Sequence, residues 1–143
     1  MTTRGAHDMP TTPRWMPRFL APAYSAAGAE AIEWQARGDA DTPAADARCR
    51  ILLCLNGAAG RGGHIARAGF EVLGPAIVVG CADWVCEWLS QTTIEQARAL
   101  SVSDVEQALD LSPSQRYAAL LVIDALTQAL ADALAAASAV QDH

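Results

Sequence analysis

The sequence predicts an α+β fold: a three-stranded antiparallel sheet with helices packed on one face and a long C-terminal helix. Three observations carry this reading. Two segments, Glu30–Arg37 and Asp46–Asn56, alternate apolar and polar residues with the period of a half-buried strand. A third, His64–Leu73, places Ile65, Phe70 and Val72 in an extended run that stops at Gly74-Pro75, after which the apolar period changes from two to about 3.6. The chain then closes on an apolar helical stretch, about Ser114 to Ala137.

The elements follow in order. Residues 1–13 are polar and aperiodic and read as a disordered lead; 14–138 form a single domain and 139–143 a tail. Arg14 to Ala21 forms a short helix, with Trp15, Phe19 and Leu20 docking on the core before Pro22 stops it. In the first strand Ile32, Trp34 and Ala36 face one way, and Gly38 to Ala45 reads as a loop by composition. In the second, Ala47, Cys49, Ile51, Leu53 and Leu55 share a face. Gly57 to Gly63 is a hairpin turn and not a phosphate loop, because neither a Lys-Ser/Thr nor a helix follows it. From Ala76 a central helix presents Ile77, Gly80, Cys81, Trp84, Val85 and Trp88 on one broad face, which presses Trp84 against the sheet. Two short helices come next, capped by Thr92 or Thr93 and by Ser101 or Ser103. The last helix has a polar stripe of Asp124, Gln128 and Asp132, with Leu120, Leu121, Ile123, Leu126, Leu130 and Leu134 around the rest.

Composition bounds the function. With 143 residues, 52% hydrophobic, the chain suits one folded domain. A net charge of −6 and no Lys-rich run argue against a broad nucleic-acid surface. No unbroken apolar run of the roughly 20 residues a membrane span needs is evident, nor an apolar signal core, so a cytoplasmic protein is expected. The four cysteines fall in two pairs, Cys49/Cys54 and Cys81/Cys86. Five-residue spacing exceeds that of paired zinc ligands, and residues five apart on a helix point about 140° apart. Cys54, Cys81 and Cys86 therefore read as small core hydrophobes. A thiol enzyme would need a base beside its nucleophile, and His64, the only interior histidine, pairs with no cysteine in the sequence. No enzymatic activity is expected.

The stretch Ala68-Gly69-Phe70-Glu71-Val72-Leu73-Gly74-Pro75, continuing to Glu87-Trp88 and Thr93-Ile94-Glu95-Gln96-Ala97, resembles the NifU/IscU-type iron–sulfur scaffold family. There a strand of the form Ala-Arg-Phe-x-x-Tyr-Gly-Cys-Gly leads into a helix ending Glu-Trp. The likeness covers roughly Trp15 to Leu134 and implies the same α+β fold and a role in cluster assembly. It also implies three Cys ligands on loop ends, with an Asp two residues after the first. The first ligand falls on Cys49 without a gap, or on Ala45 in Ala44-Ala45-Asp46 if the hairpin is longer; Cys49 and Asp46 are thus the candidate metal residues. The second ligand position is Pro75, and the third, a His-Cys in the family, corresponds to Tyr117-Ala118. The chaperone-recognition segment Leu-Pro-Pro-Val-Lys is here Leu111-Ser112-Pro113-Ser114-Gln115. The resemblance implies an iron–sulfur cluster or iron as cofactor. The replaced ligands instead predict no cofactor in the isolated protein, and an accessory or pseudo-scaffold. Its former cluster site (Pro75, Arg116, Tyr117 and Ala118) would then bind a partner such as a cysteine desulfurase or another scaffold, with a homodimer left open. Two alternatives stand beside it: a metal-binding module using Cys49, Cys54 and Cys81, and a purely structural interaction protein.

Overall fold

In a computed structural model the described residues are 12–26, 32–56, 63–90 and 92–141, with side chains to residue 135. They form α1 (Met16–Leu20), β1 (Ala36–Thr42), β2 (Ala47–Asn56), β3 (His64–Leu73), α2 (Ala76–Leu89), α3 (Ile94–Arg98), α4 (Val102–Leu109) and α5 (Arg116–Gln141). The sheet is antiparallel in the order β1-β2-β3. Helix α5 packs under β1 and β2, and α2 under β3, so the core lies between one sheet face and these two helices. The expected α+β architecture is the observed one.

The first strand departs from expectation. It begins at Ala36, not Glu30, and runs through the Gly-Asp-Ala-Asp segment that composition assigns to a loop. Glu30 lies outside the described residues. The physical reason lies beneath the strand. Ala36, Gly38 and Ala40 are its buried face, and a Cβ at Gly38 would lie 2.1 Å from the Ala129 nitrogen and 2.2 Å from the Ala125 carbonyl oxygen. Strand and helix meet backbone to backbone, and only small residues permit that approach. Asp132 adds a polar tie, its carboxylate accepting from the Arg37 N–H at 3.0 Å. The loop shrinks to a 3-10 turn, Pro43–Ala45.

Trp34 also sits elsewhere. Its ring lies over Gly69, where a Cβ would come 2.8 Å from the ring edge. Gly69 pairs with Leu52, and both point away from the helices. The residues before Ala36 have left the strand, so Trp34 no longer shares its face. It helps cover Leu52, which is buried outside the main core.

Strands β2 and β3 match expectation, and Asp46 falls just outside β2. The expected hairpin turn lies outside the described residues except Gly63, as does all but Thr12 and Pro13 of the expected lead. In α1, Trp15 packs on Gly80, whose hydrogen leaves room for the Trp15 backbone. Phe19 and Leu20, expected to dock, are 40% and 70% exposed. Helix α2 buries Val78, Cys81, Ala82, Val85, Cys86 and Leu89 completely. Trp84 and Trp88 are only half buried, so the helix is rotated away from the expected phase. Thr93 and Ser101 cap α3 and α4 through reciprocal bonds with Gln96 and Asp104.

In α5 the fully buried positions are chiefly alanines, Ala118, Ala119, Ala125, Ala129 and Ala133, alongside Val122. Leu120, expected on the apolar face, is 48% exposed. By length and composition the 23-residue segment Pro113–Ala135 could cross a membrane. Half of its most apolar window is buried inside the domain, as expected of a helix the sheet and α2 pack against.

Candidate functional site

The turn between β3 and α2 is built from Gly74 and Pro75. Gly74 has φ +143°, open to glycine, and a Cβ there would sit 2.9 Å from the Ala47 Cβ and 3.4 Å from the Asp46 carbonyl oxygen. This close approach brings the β1–β2 connection against the β3–α2 turn. Asp46 is exposed and left-handed (φ 52°), a conformation Asp tolerates, and its N–H donates to the Pro43 carbonyl at 3.1 Å. Pro75 is the N-cap of α2 (φ −62°, ψ 151°) and makes no side-chain cap bond. The predicted residues Asp46 and Pro75 therefore do lie on adjoining loop ends.

Tyr117 approaches the other side of the same connection. It is half buried at the start of α5 and lines a groove with Asp41 and Thr42, the end of β1. Arg116 is exposed, 3.8 Å from Glu106. Ala118 is fully buried in the core, so the expectation that it contacts a partner is corrected. The segment Leu111–Gln115 serves as a helix start, with the Ser112 N–H donating to Gln115 Oε1 at 2.9 Å.

The thiols lie elsewhere. Cys49 is fully buried in the middle of β2, opposite Ala40 and Val72. Burial pushes its pKa up to about 12, with Cys81 and Asp39 adding to the rise. Burial likewise pushes Cys81 up to about 12. Cys86 rises well above the ordinary value from burial first, then from Cys49 and Asp83. A metal needs thiolate, and these positions disfavour it. Cys54 is not the expected core residue: it is half buried and its Sγ meets the Glu33 carbonyl at 3.4 Å. Cys49 and Cys54, five apart on β2, lie on opposite sheet faces, which rules out the shared set of Cys49, Cys54 and Cys81. Among the described residues no group of three His, Cys, Asp or Glu side chains could hold a metal ion. The loop ends offer Asp46 and no thiol, so the donor set does not fit an iron–sulfur cluster.

Sequence reasoning missed Asp83. It is 1% exposed within α2. Its carboxylate accepts from the Ala23 and Tyr24 N–H groups at 2.8 and 2.9 Å and from Arg18 at 2.9 Å. Arg18 also reaches Glu87 at 2.7 Å. This fixes residues 23–26 against β3, where the Phe70 N–H donates to the Tyr24 carbonyl at 3.2 Å. The signal was a carboxylate within a mostly apolar helical stretch; nothing local points to its partners, which lie 59 to 65 residues away in sequence.

A small antiparallel sheet backed by helices on one face, with loop ends gathered at one end, defines an α+β domain. The chain belongs to the NifU-like N-terminal domain family, whose model matches residues 18–139. It is similar to the iron–sulfur cluster assembly scaffold protein IscU of Escherichia coli K12, 29% identical over 70 residues (49% of this chain, 55% of that protein). The IscU of Haemophilus influenzae is likewise 29% identical over 70 residues, 56% of its length. The chain spans about half the length of the curated relatives it matches. Its fold resembles a crystal structure from Fervidobacterium islandicum AW-1, described as a candidate iron–sulfur cluster assembly scaffold for the SUF system. The TM-score is 0.56 at 16% identity, covering 69% of this chain and 83% of that one.

Proposed function

We propose that this protein is an accessory, scaffold-like member of the iron–sulfur cluster assembly family that docks on an assembly partner and builds no cluster on its own thiols. The observation that carries this reading is where the sulfur sits. Cys49, the one cysteine that the family pattern can place at a ligand position, is fully buried and faces the core. The loop ends themselves carry Asp46, Pro75 and Tyr117. Pro75, Arg116 and Tyr117 then form a contact surface for a cysteine desulfurase or a cluster-bearing scaffold. Tyrosine and arginine suit such surfaces, because each combines apolar area with hydrogen bonding. The protein needs no enzymatic activity for this role and works in the cytoplasm.

The test has two parts. Anaerobic incubation with ferrous iron and sulfide should leave no stoichiometric metal after desalting. One equivalent of iron, lost on Cys49→Ala, overturns the reading. Pull-downs from the native host should recover a cluster-assembly protein with wild type and with Gln128→Ala, and lose it with Tyr117→Ala. The same partners in all three samples would place the interface elsewhere.

A further inference from the structure

The groove beside Tyr117 extends the site along α5. Its volume is about 400 Å³, and Val102, Tyr117, Leu120 and Ile123 give it an apolar lining. Leu120, in the second turn of α5, is 48% exposed there. Two carboxylates, Asp41 and Asp124, stand exposed among the lining residues, which include no cation. Neither carboxylate has an ion pair or hydrogen bond among the described residues. Arg48 faces Asp41 across the β1–β2 register, yet no ion pair joins them. The other acidic residues within the strands, Asp39 and Glu71, are both engaged by Arg50 at 2.6 and 3.3 Å. Asp41 and Asp124 are therefore left without an ion pair at this apolar groove.

From this juxtaposition we infer that the groove between β1, α4 and α5 takes a basic amphipathic segment of a partner protein, its apolar anchor on Leu120 and Tyr117 and its Lys or Arg side chains on Asp41 and Asp124. An apolar strip lined with unpaired charge of one sign selects a helix or peptide of opposite charge. An acidic segment would be repelled, and a purely apolar one would leave both carboxylates beside it without a partner. The inference rests on the partner-docking reading for its biological occupant. The chemistry of the groove can be tested without any assembly protein.

The probe is a fluorescein-labelled helix of leucine and lysine, about 14 residues or roughly 21 Å long, followed by fluorescence anisotropy. Its leucine–glutamate counterpart serves as the charge control. The basic probe should bind at least about tenfold more tightly than the acidic one, and salt should weaken it. Leu120→Glu, and separately Asp41→Asn with Asp124→Asn, should each weaken binding by about tenfold. Glu33→Gln, on the far side of the sheet, should stay within about twofold. Should Leu120→Glu lower the melting temperature, the Asp→Asn pair decides, since both carboxylates are exposed. Equal binding of the two probes, or equal loss with Glu33→Gln, overturns the inference. Groove binding together with failure of the host pull-down would sink the assembly reading and leave the groove standing; the reverse pattern would sink the groove alone.

Discussion

At the seam between β1 and α5, two backbones touch; at the loop ends, side chains meet mostly solvent. Gly38 leaves no room for even a methyl group against Ala125 and Ala129. Asp46, Arg116 and Leu73 are exposed, Leu73 at 70%. The first region tolerates almost no change of volume. The second leaves its exposed side chains room to vary. The difference separates what holds the fold from what a site would hold: packing constrains the seam, whereas only a bound group or a partner would constrain the loop ends.

The seam should break first. Gly38→Val places three carbons where backbone atoms already lie, and neither strand nor helix can yield locally. We expect a loss of about 4 kcal/mol or more, enough to abolish a cooperative melt by circular dichroism. A melt within a few degrees of wild type would show that the seam can open. Next comes the Asp83 anchor. Asp83→Ala strips the Ala23 and Tyr24 N–H groups and Arg18 of their shared acceptor. The cost should be about 3 kcal/mol, with hydrogen-exchange protection lost in residues 23–26. Unchanged protection would mean that β3 alone holds that segment.

Most of the fold was legible in the sequence, because period-2 and period-3.6 patterns report burial directly. Strand β3, helix α2 and the capped starts of α3 and α4 follow from such signals. The seam was not legible: Gly-Asp-Ala-Asp looks like a loop unless one knows that a helix backbone lies beneath it. The phase of α2 was misjudged because tryptophan weighs heavily in any apolar count, while the closest contacts go to Val, Ala and Cys. At the site, the pattern located the adjoining turns at Asp46 and Pro75. It could not reveal the Asp83 network, whose partners lie about 60 residues away in sequence, or the groove at Leu120, which needs three elements in register.

The thiols sharpen the comparison through pH. Cys49 and Cys81 have their pKa raised from 9.0 to about 12 by burial. A thiol raised in the fold stabilises it below the unfolded value, and that contribution is lost as pH climbs from about 9 toward 12. The unfolding free energy should therefore fall over this window, by at most about 1.4 kcal/mol per pH unit per thiol, and the melting temperature with it. At about pH 8, iodoacetamide with mass readout should label Cys54 first. Cys49, Cys81 and Cys86 should react only when denaturant opens the core. Rapid native labelling of Cys49 would contradict its placement and reopen it as a ligand.

The gentlest change is the most informative about the loop ends. Pro75 caps α2 with an extended backbone and contributes no side-chain bond. Its φ of −62° and ψ of 151° suit many residues. Pro75→Cys gives up some rigidity of the unfolded chain and should alter stability by about 1 kcal/mol or less. The new thiol, however, would stand at the N-terminus of a helix, where the unpaired N–H groups and the helix dipole favour the thiolate. It should react with iodoacetamide at least about tenfold faster than Cys54 at neutral pH, and its titration should lie below the ordinary thiol value near 8.5. That outcome would show that the turn still offers the electrostatics a cluster ligand needs and lacks only the sulfur. If the thiol introduced by Pro75→Cys is instead as slow as Cys49, the loop end has closed over, and the partner-docking surface would have to move away from Pro75 toward Leu120.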